Sequence, residues 1–173
     1  MSAKLDARHI ELSVYAKENG LILENDTERD TQIVDMDALG DSIKELVKHS
    51  DRSVIVDGHY SHEILDEELV NLIIVFRKAP WELYDVLQNR LYSYEKVWEN
   101  LEAEIMGVIA TEAQEYSLEK LHEVDTTEKS AVETAEEILA VISGEKATSF
   151  GPIDWVTYPE TLRVLVNRTC TLS

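Results

Sequence analysis

Apolar and polar positions alternate along this chain in a way that divides it into short elements of two kinds. His9 to Leu12 alternates and predicts a short strand, and Ser13 is a good N-cap for a brief helix through Glu18, stopped by Asn19 and Gly20. Met1 to Leu5 reads as the last turn of a preceding helix. Leu21 to Ile33 carries many charges and no period, which predicts an exposed excursion. From Asp35 onward, Met36, Leu39, Ile43, Leu46 and Val47 follow helical spacing, although Gly40 weakens it. Ser53 to Val56 is a β-branched run that breaks off into Asp57, Gly58 and His59, the pattern of a buried parallel strand with a polar carboxyl end. After a loop from Tyr60 to Glu68, a second continuous run, Val70 to Phe76, ends at Arg77.

Pro80 suits the first turn of a helix running to about Leu91. Ser93 begins another, with Val97, Leu101, Ile105, Val108 and Ile109 on one buried stripe as far as about Tyr116. Leu121 to Val124 is a third candidate strand. Thr126 or Thr127 precedes a helix with Val132, Ala135, Ile138, Leu139 and Ile142 on its buried face, and Gly144 ends it. In the tail, S-F-G-P-I-D-W-V predicts an ordered turn that docks Trp155. T-L-R-V-L-V-N-R-T, which follows, reads as a strand or a partner-dependent segment.

Strands separated by helices make an α/β protein with a mostly parallel, doubly wound sheet. Ligands bind such sheets at the carboxyl ends of the strands. Asp57 stands where an acid can hold a metal ion or water, His59 stands beside it, and Arg77 occupies the equivalent end of the next strand. Set against that, a solvated acid and a loop histidine are what many strand ends carry.

Composition narrows the choice. The 173 residues are the size of one domain, and 44% hydrophobic with 29% charged is ordinary for a globular chain. A net charge of -19, from 35 acids against 16 Lys and Arg, disfavours direct binding to nucleic acid and favours a basic protein partner. It leaves room for a nucleotide, since backbone amides and a few local cations suffice to hold phosphate. Cys170 is the single cysteine, so no disulfide framework or cysteine-rich metal site exists, and a reducing, cytoplasmic location is expected. No apolar run approaches the roughly 20 residues of a membrane span.

Several motifs in order carry a resemblance. I-x-L-x-x-x-A-K-E occupies Ile10 to Glu18, D-x-E-R-D begins at Asp26, and V-I-V-D-G-H and I-V-F-R end the two strands. N-R-L-Y-S-Y-E-K spans Asn89 to Lys96, N-L-E-A-E-I spans Asn100 to Ile105, D-T-T-E-K-S spans Asp125 to Ser130, and G-P-I-D-W ends at Trp155. Together they make the chain resemble the adenylate-kinase-like NTPases of the CINAP type, over about Leu5 to Trp155. The resemblance implies a P-loop, nucleoside-monophosphate-kinase fold, transfer of phosphate from ATP to AMP or ATP hydrolysis with Mg²⁺, and a role in small-ribosomal-subunit maturation. It divides the chain into a kinase-like core over 1–143, with a monophosphate arm at 13–35 and a lid at 89–99, and a tail over 144–173. Asp57 would orient Mg²⁺ through water, and His59 would adjoin the transferred phosphoryl group. Arg90, Lys129, Thr127 and Arg77 would contact ATP, and Lys17 and Arg29 would contact the monophosphate.

The family begins with a strand and the loop G-x-x-x-x-G-K-[ST], whose amides and lysine cradle phosphates. No Gly-Lys pair occurs among these 173 residues. By alignment the chain starts in the helix after that loop, which leaves the expected sheet without its first strand and phosphate loop. Either the sequence is shortened or the member has lost hydrolysis, and the shortened form is favoured. Val86 and Leu91 stand where the family often has a lid arginine and a lid glycine, and Lys17 stands in place of an arginine. These departures reduce the positive charge available for phosphate. They leave a second expectation open, a non-catalytic acidic assembly factor that holds a basic small-subunit ribosomal protein.

Overall fold

Two parallel strand pairs organise the protein, one in each of the two units into which the chain divides, Met1–Asn71 and Leu72–Ser173. The computed structural model describes residues 5–26 and 31–170. In the first unit β1 (Arg8–Glu11) lies parallel to β4 (Val54–Asp57), with His9 opposite Ile55 and Glu11 opposite Asp57. Ile10 points into the core with 5% exposure, so His9 and Glu11, its neighbours, share the other face. Helix α1 (Leu12–Glu18) follows β1 without a linker and buries Leu12 and Ala16. Its N-cap is Glu11, not Ser13, because the Glu11 carboxylate accepts from the Ser13 and Val14 amides at 3.1 Å each.

The polar stretch after Gly20 is a hairpin rather than an irregular excursion. β2 (Ile22–Asp26) and β3 (Thr31–Val34) pair antiparallel, with a register irregularity between Ile22 and Glu24. The charges that hide its period lie on an exposed two-stranded ribbon, where Ile22 and Val34 pack against the core. Asp35 caps α2 (Met36–Lys48) by accepting from the Ala38 amide at 3.0 Å, and this helix buries Leu39, Gly40 and Ile43 as its spacing requires. Gly40 is where the helix passes Ile64, whose carbonyl oxygen would lie 3.4 Å from an added Cβ. The expected loop after His59 contains a single helical turn, α3 (Ser61–Ile64), and a 3-10 turn at Glu67–Leu69.

In the second unit β5 (Ile73–Arg77) lies parallel to β6 (Leu121–Asp125), with Arg77 opposite Asp125. Phe76 is half-exposed while Val75 and Arg77 are buried, so β5 alternates where a fully buried strand was expected. Helix α4 (Pro80–Asn89) starts on its proline. The long helix expected from Ser93 to Tyr116 is two, α5 (Tyr94–Met106) and α6 (Val108–Ser117), because Gly107 between them has φ +64, outside helical space. The break rotates Val108 off the stripe formed by Val97, Leu101 and Ile105 and leaves it 39% exposed.

Helix α7 (Ala131–Ile142) begins with a capping box between Ser130 and Glu133, one turn past the threonines expected to cap it. It buries Thr134, Ile138 and Val141, and Val132 and Ile142 face solvent. Trp155 docks as its turn predicts, at 3% exposure in a 3-10 turn over Trp155–Thr157. The final run is helix α8 (Pro159–Cys170) and not the strand that was one of its two expected forms, with Val164 and Leu165 packed on the Trp98 cluster. The i, i+1 apolar pair suits a helix as well as a strand, and packing against α5 decides it. Among the described residues no helix is long and apolar enough to cross a membrane.

Candidate functional site

The carboxyl ends of β1 and β4 bring Asp57, His9 and Glu11 together in the first unit, and His59 follows Asp57 by two residues. Parallel register sets this arrangement. Glu11 lies directly opposite Asp57, and His9, two residues back on the same face, reaches diagonally across the pair. The His9 Nε2 lies 3.3 Å from Asp57 Oδ2, and both side chains remain near half-exposed, at 48% and 61%. Two carboxylates side by side would repel, but Glu11 is occupied elsewhere. Its Oε1 accepts from the Ser13 hydroxyl at 2.5 Å and from the Ser13 amide, and its Oε2 accepts from the Val14 amide. The Ser13 hydroxyl bond, followed by the backbone donors, holds the Glu11 carboxyl below its ordinary range, so it stays anionic at the start of α1.

Gly58 fixes the turn after Asp57. A Cβ there would come 2.8 Å from Leu12 Cδ1 and 3.1 Å from Leu12 Cβ, and Leu12 is fully buried, so only glycine lets β4 end this close to α1. His59 is exposed beyond it and meets Tyr60 edge-on, with ring centroids 4.5 Å apart. Burial, reinforced by the negative charge of Glu11, pushes the Tyr60 hydroxyl above its ordinary range and keeps it protonated. Lys17, in the last turn of α1, is exposed and makes no ion pair among the described residues. Arg29 lies outside the described residues.

The oxygen donors suit a hard cation held mostly by waters and phosphates. Among the described residues no group of three or more His, Cys, Asp or Glu side chains could cage a metal. One exposed carboxylate, Asp57, whose Oδ2 meets His9, could hold a hydrated divalent cation through water but could not build an all-protein site.

The remaining candidates belong to the second unit. Arg77 was expected to face phosphate. It is instead 3% exposed and fully engaged: Nε donates to Glu104 Oε1 at 2.9 Å, Nη1 to Glu123 Oε1 at 2.5 Å and Nη2 to the Glu104 carbonyl at 3.0 Å. Glu104 also accepts from the Lys78 amide and the Trp155 indole, and Glu123 from the Gly151 amide. This is a buried clamp that joins β5, α5, β6 and the tail.

The loop after β6 is tied to the end of β5. Thr126 donates from both its amide and its hydroxyl to the Arg77 carbonyl at 2.8 Å, and the Thr127 hydroxyl accepts from the Ala79 amide at 2.9 Å. Thr127 therefore has a structural bond whatever else it contacts. Lys129 donates to Glu137 at 2.7 Å, and Lys146 bonds the same carboxylate; these two bonds hold Glu137 below the usual carboxylate range. Arg90 closes α4 as its C-cap with an exposed side chain, and Leu91 after it is 91% exposed at φ +58.

Sequence reasoning missed His9 and Glu11. The signal was present in H-I-E: an inward Ile10 sends both neighbours to the opposite face, and only the β1–β4 register shows that Asp57 waits there. The glutamate partners of Arg77 lie 27 and 46 residues away, and nothing local marks them.

Residues 1–107 match the family described as AAA domain. The chain is 34% identical over 165 residues to a protein of Saccharolobus solfataricus named "Putative adenylate kinase", covering 95% of this chain and 82% of that one. It is 36% identical over 155 residues to the protein of the same name from Pyrococcus abyssi, covering 90% and 81%. With the protein of that name from Thermococcus kodakarensis, it shares 36% over 168 residues, covering 95% and 88%.

Proposed function

This chain belongs to the AAA-domain family of P-loop NTPase-like proteins, and on that premise we propose that it serves phosphoryl transfer from ATP, to AMP or to water, with Mg²⁺. The observation that carries the reading is Asp57, an exposed carboxylate at the carboxyl end of a parallel strand, with His59 two residues on and His9 at 3.3 Å. The relatives' printed name supports the choice of adenylate kinase chemistry.

In this reading Asp57 holds a metal-bound water and so orients the ion. Magnesium, when bound, neutralises charge on the phosphates as the transferred group moves. His59, exposed and braced edge-on by Tyr60, adjoins that group. Arg90, with Lys129 and Thr127, contributes the ATP contacts, and Lys17, with Arg29, attracts the monophosphate. Lysine at 17 gives a point charge without a bidentate fork, so AMP recognition is weak. Arg77 has no part in it, since its guanidinium is spent on Glu104 and Glu123.

The 173 residues contain no G-x-x-x-x-G-K-[ST], so turnover by this chain is expected to be low. The test measures ADP formation from ATP and AMP, in this chain and in a form extended by any in-frame upstream codons that encode such a loop. Asp57→Ala should lower the rate by about 10²-fold or more. Equal rates in the extended form and in its Asp57→Ala variant would overturn the proposal.

The charge of -19 favours a second reading, an acidic assembly factor that holds a basic small-subunit ribosomal protein. Such a complex should form at low salt and weaken steeply as salt rises. Failure to recover any basic ribosomal protein at low salt would remove it.

A further inference from the structure

The contact between His9 and Asp57 joins the ends of two strands through side chains that stability does not require to meet. Both groups are near half-exposed, and an ion pair or hydrogen bond in that setting adds little to stability. Glu11 is the nearer cross-strand partner of Asp57 by register, yet its oxygens are taken by Ser13 and Val14. That leaves His9 as the group that sets how the Asp57 carboxylate is turned. Strand pairing opposite Glu11 already holds the Asp57 backbone, so the rotation of its side chain is the freedom that remains.

We infer that His9 is the positioning residue of Asp57: its Nε2–H holds Oδ2, and Oδ1 is thereby the oxygen presented to a metal-bound water. The inference rests on the phosphoryl-transfer reading of Asp57 and adds to it the residue that preorganises the carboxylate. A neutral imidazole that donates from Nε2 has Nδ1 as its acceptor nitrogen, so the arrangement specifies a tautomer. The bond is also part of β1, an element set by tertiary pairing, so the carboxylate is oriented before any ligand arrives. Partners that orient a metal's direct ligands typically alter affinity or rate by about 10–100-fold when removed, and His9, acting on a carboxylate that reaches the ion through water, belongs at the low end of that range.

The test uses the full 173-residue chain and three variants. His9→Leu removes the donor, and His9→Gln keeps an N–H at a similar reach. Asp57→Ala removes the carboxylate. Binding of Mn²⁺ with ATP is read by electron paramagnetic resonance, ADP formation is measured in parallel, and the His9 tautomer is read from imidazole nitrogen shifts without ligand.

His9→Leu is expected to weaken Mn²⁺ binding about 10-fold with an unchanged thermal midpoint, and His9→Gln to recover most of the loss. Unliganded His9 should be the Nε2–H tautomer in the parent and lose that preference in Asp57→Ala. If Asp57→Ala weakens metal binding while His9→Leu matches the parent, or if His9 carries its proton on Nδ1, the positioning role is overturned and the reading of Asp57 survives. If Asp57→Ala leaves Mn²⁺ binding with ATP unchanged, the reading itself fails and this inference falls with it.

Discussion

Replacing Arg77 with methionine tests whether the clamp of the second unit is structural, as its geometry says. Methionine fills much of the space of the aliphatic stem and removes every donor. Three hydrogen bonds go, to Glu104 Oε1, Glu123 Oε1 and the Glu104 carbonyl. The carboxylates do not suffer equally. Glu104 keeps the Lys78 amide and the Trp155 indole and is 17% exposed, whereas Glu123 keeps only the Gly151 amide at 1% side-chain exposure. Stranding one partner of a buried pair costs about 3–5 kcal/mol. Against a total stability of about 5–15 kcal/mol that is a large share. With a urea slope of about 1–3 kcal/mol per molar, the midpoint should fall by at least about 1 M.

All three tryptophans, Trp81, Trp98 and Trp155, lie in this unit, so indole fluorescence during urea unfolding reports it without contribution from the first. Arg77→Lys should lose nearly as much, because an ammonium cannot reach both carboxylates and the carbonyl together. Pairing Arg77→Met with Glu123→Gln removes both charges and should return about 1–3 kcal/mol relative to the sum of the single losses. A loss under about 1 kcal/mol in Arg77→Met, or strict additivity in the double variant, would refute the clamp.

Two further predictions concern the packing of the strands. Gly58→Ala drives a Cβ to 2.8 Å from Leu12 Cδ1, and since Leu12 is fully buried the misfit should cost about 1–3 kcal/mol, read by far-ultraviolet circular dichroism in urea; a change under about 0.5 kcal/mol would show that α1 yields freely. His122 is fully buried on β6, where its Nδ1 accepts from the Ser149 amide at 2.9 Å, and burial, then the charge of Lys146, lowers its protonation range below the ordinary 6.5. The unfolded chain therefore takes up this proton first as pH falls. The stability His122 contributes is fully present above about 6.5 and is lost below it, at up to about 1.4 kcal/mol per pH unit. His122→Asn keeps an acceptor for Ser149 and should flatten that slope between pH 7 and 5; an unchanged slope would refute the assignment.

How much of this was legible in the sequence differs by element, for physical reasons. Helix α2 was legible because its cap and its stripe are local: Asp35 stands one residue before Met36, and Leu39 and Ile43 repeat at helical spacing. The strand ends at Asp57 and Arg77 were legible because β-branched runs stop at a charge. The β2–β3 hairpin was hidden because an exposed ribbon needs no strict apolar alternation. The break at Gly107 was hidden because the apolar stripe on either side runs on in sequence; only the backbone conformation, held against the Arg77 guanidinium at 3.5 Å from where a Cβ would stand, ends it.

Arg77 and Asp57 show why the end of a strand is an ambiguous place from which to read function. Each is charged, each closes a parallel strand, and each looks equally fit for a ligand. Their difference lies in what the neighbouring strand brings to the same face. Beside β5, β6 supplies Glu123, two residues before the one opposite Arg77, α5 supplies Glu104, and the guanidinium is consumed in the core. Beside β4, β1 supplies one acid already tied to its own helix and one histidine that leaves a carboxylate oxygen open to solvent. A charge at a strand end becomes a site only when its partners leave something unspent. Pairing register decides that, and it is a property of two segments that a single segment cannot display.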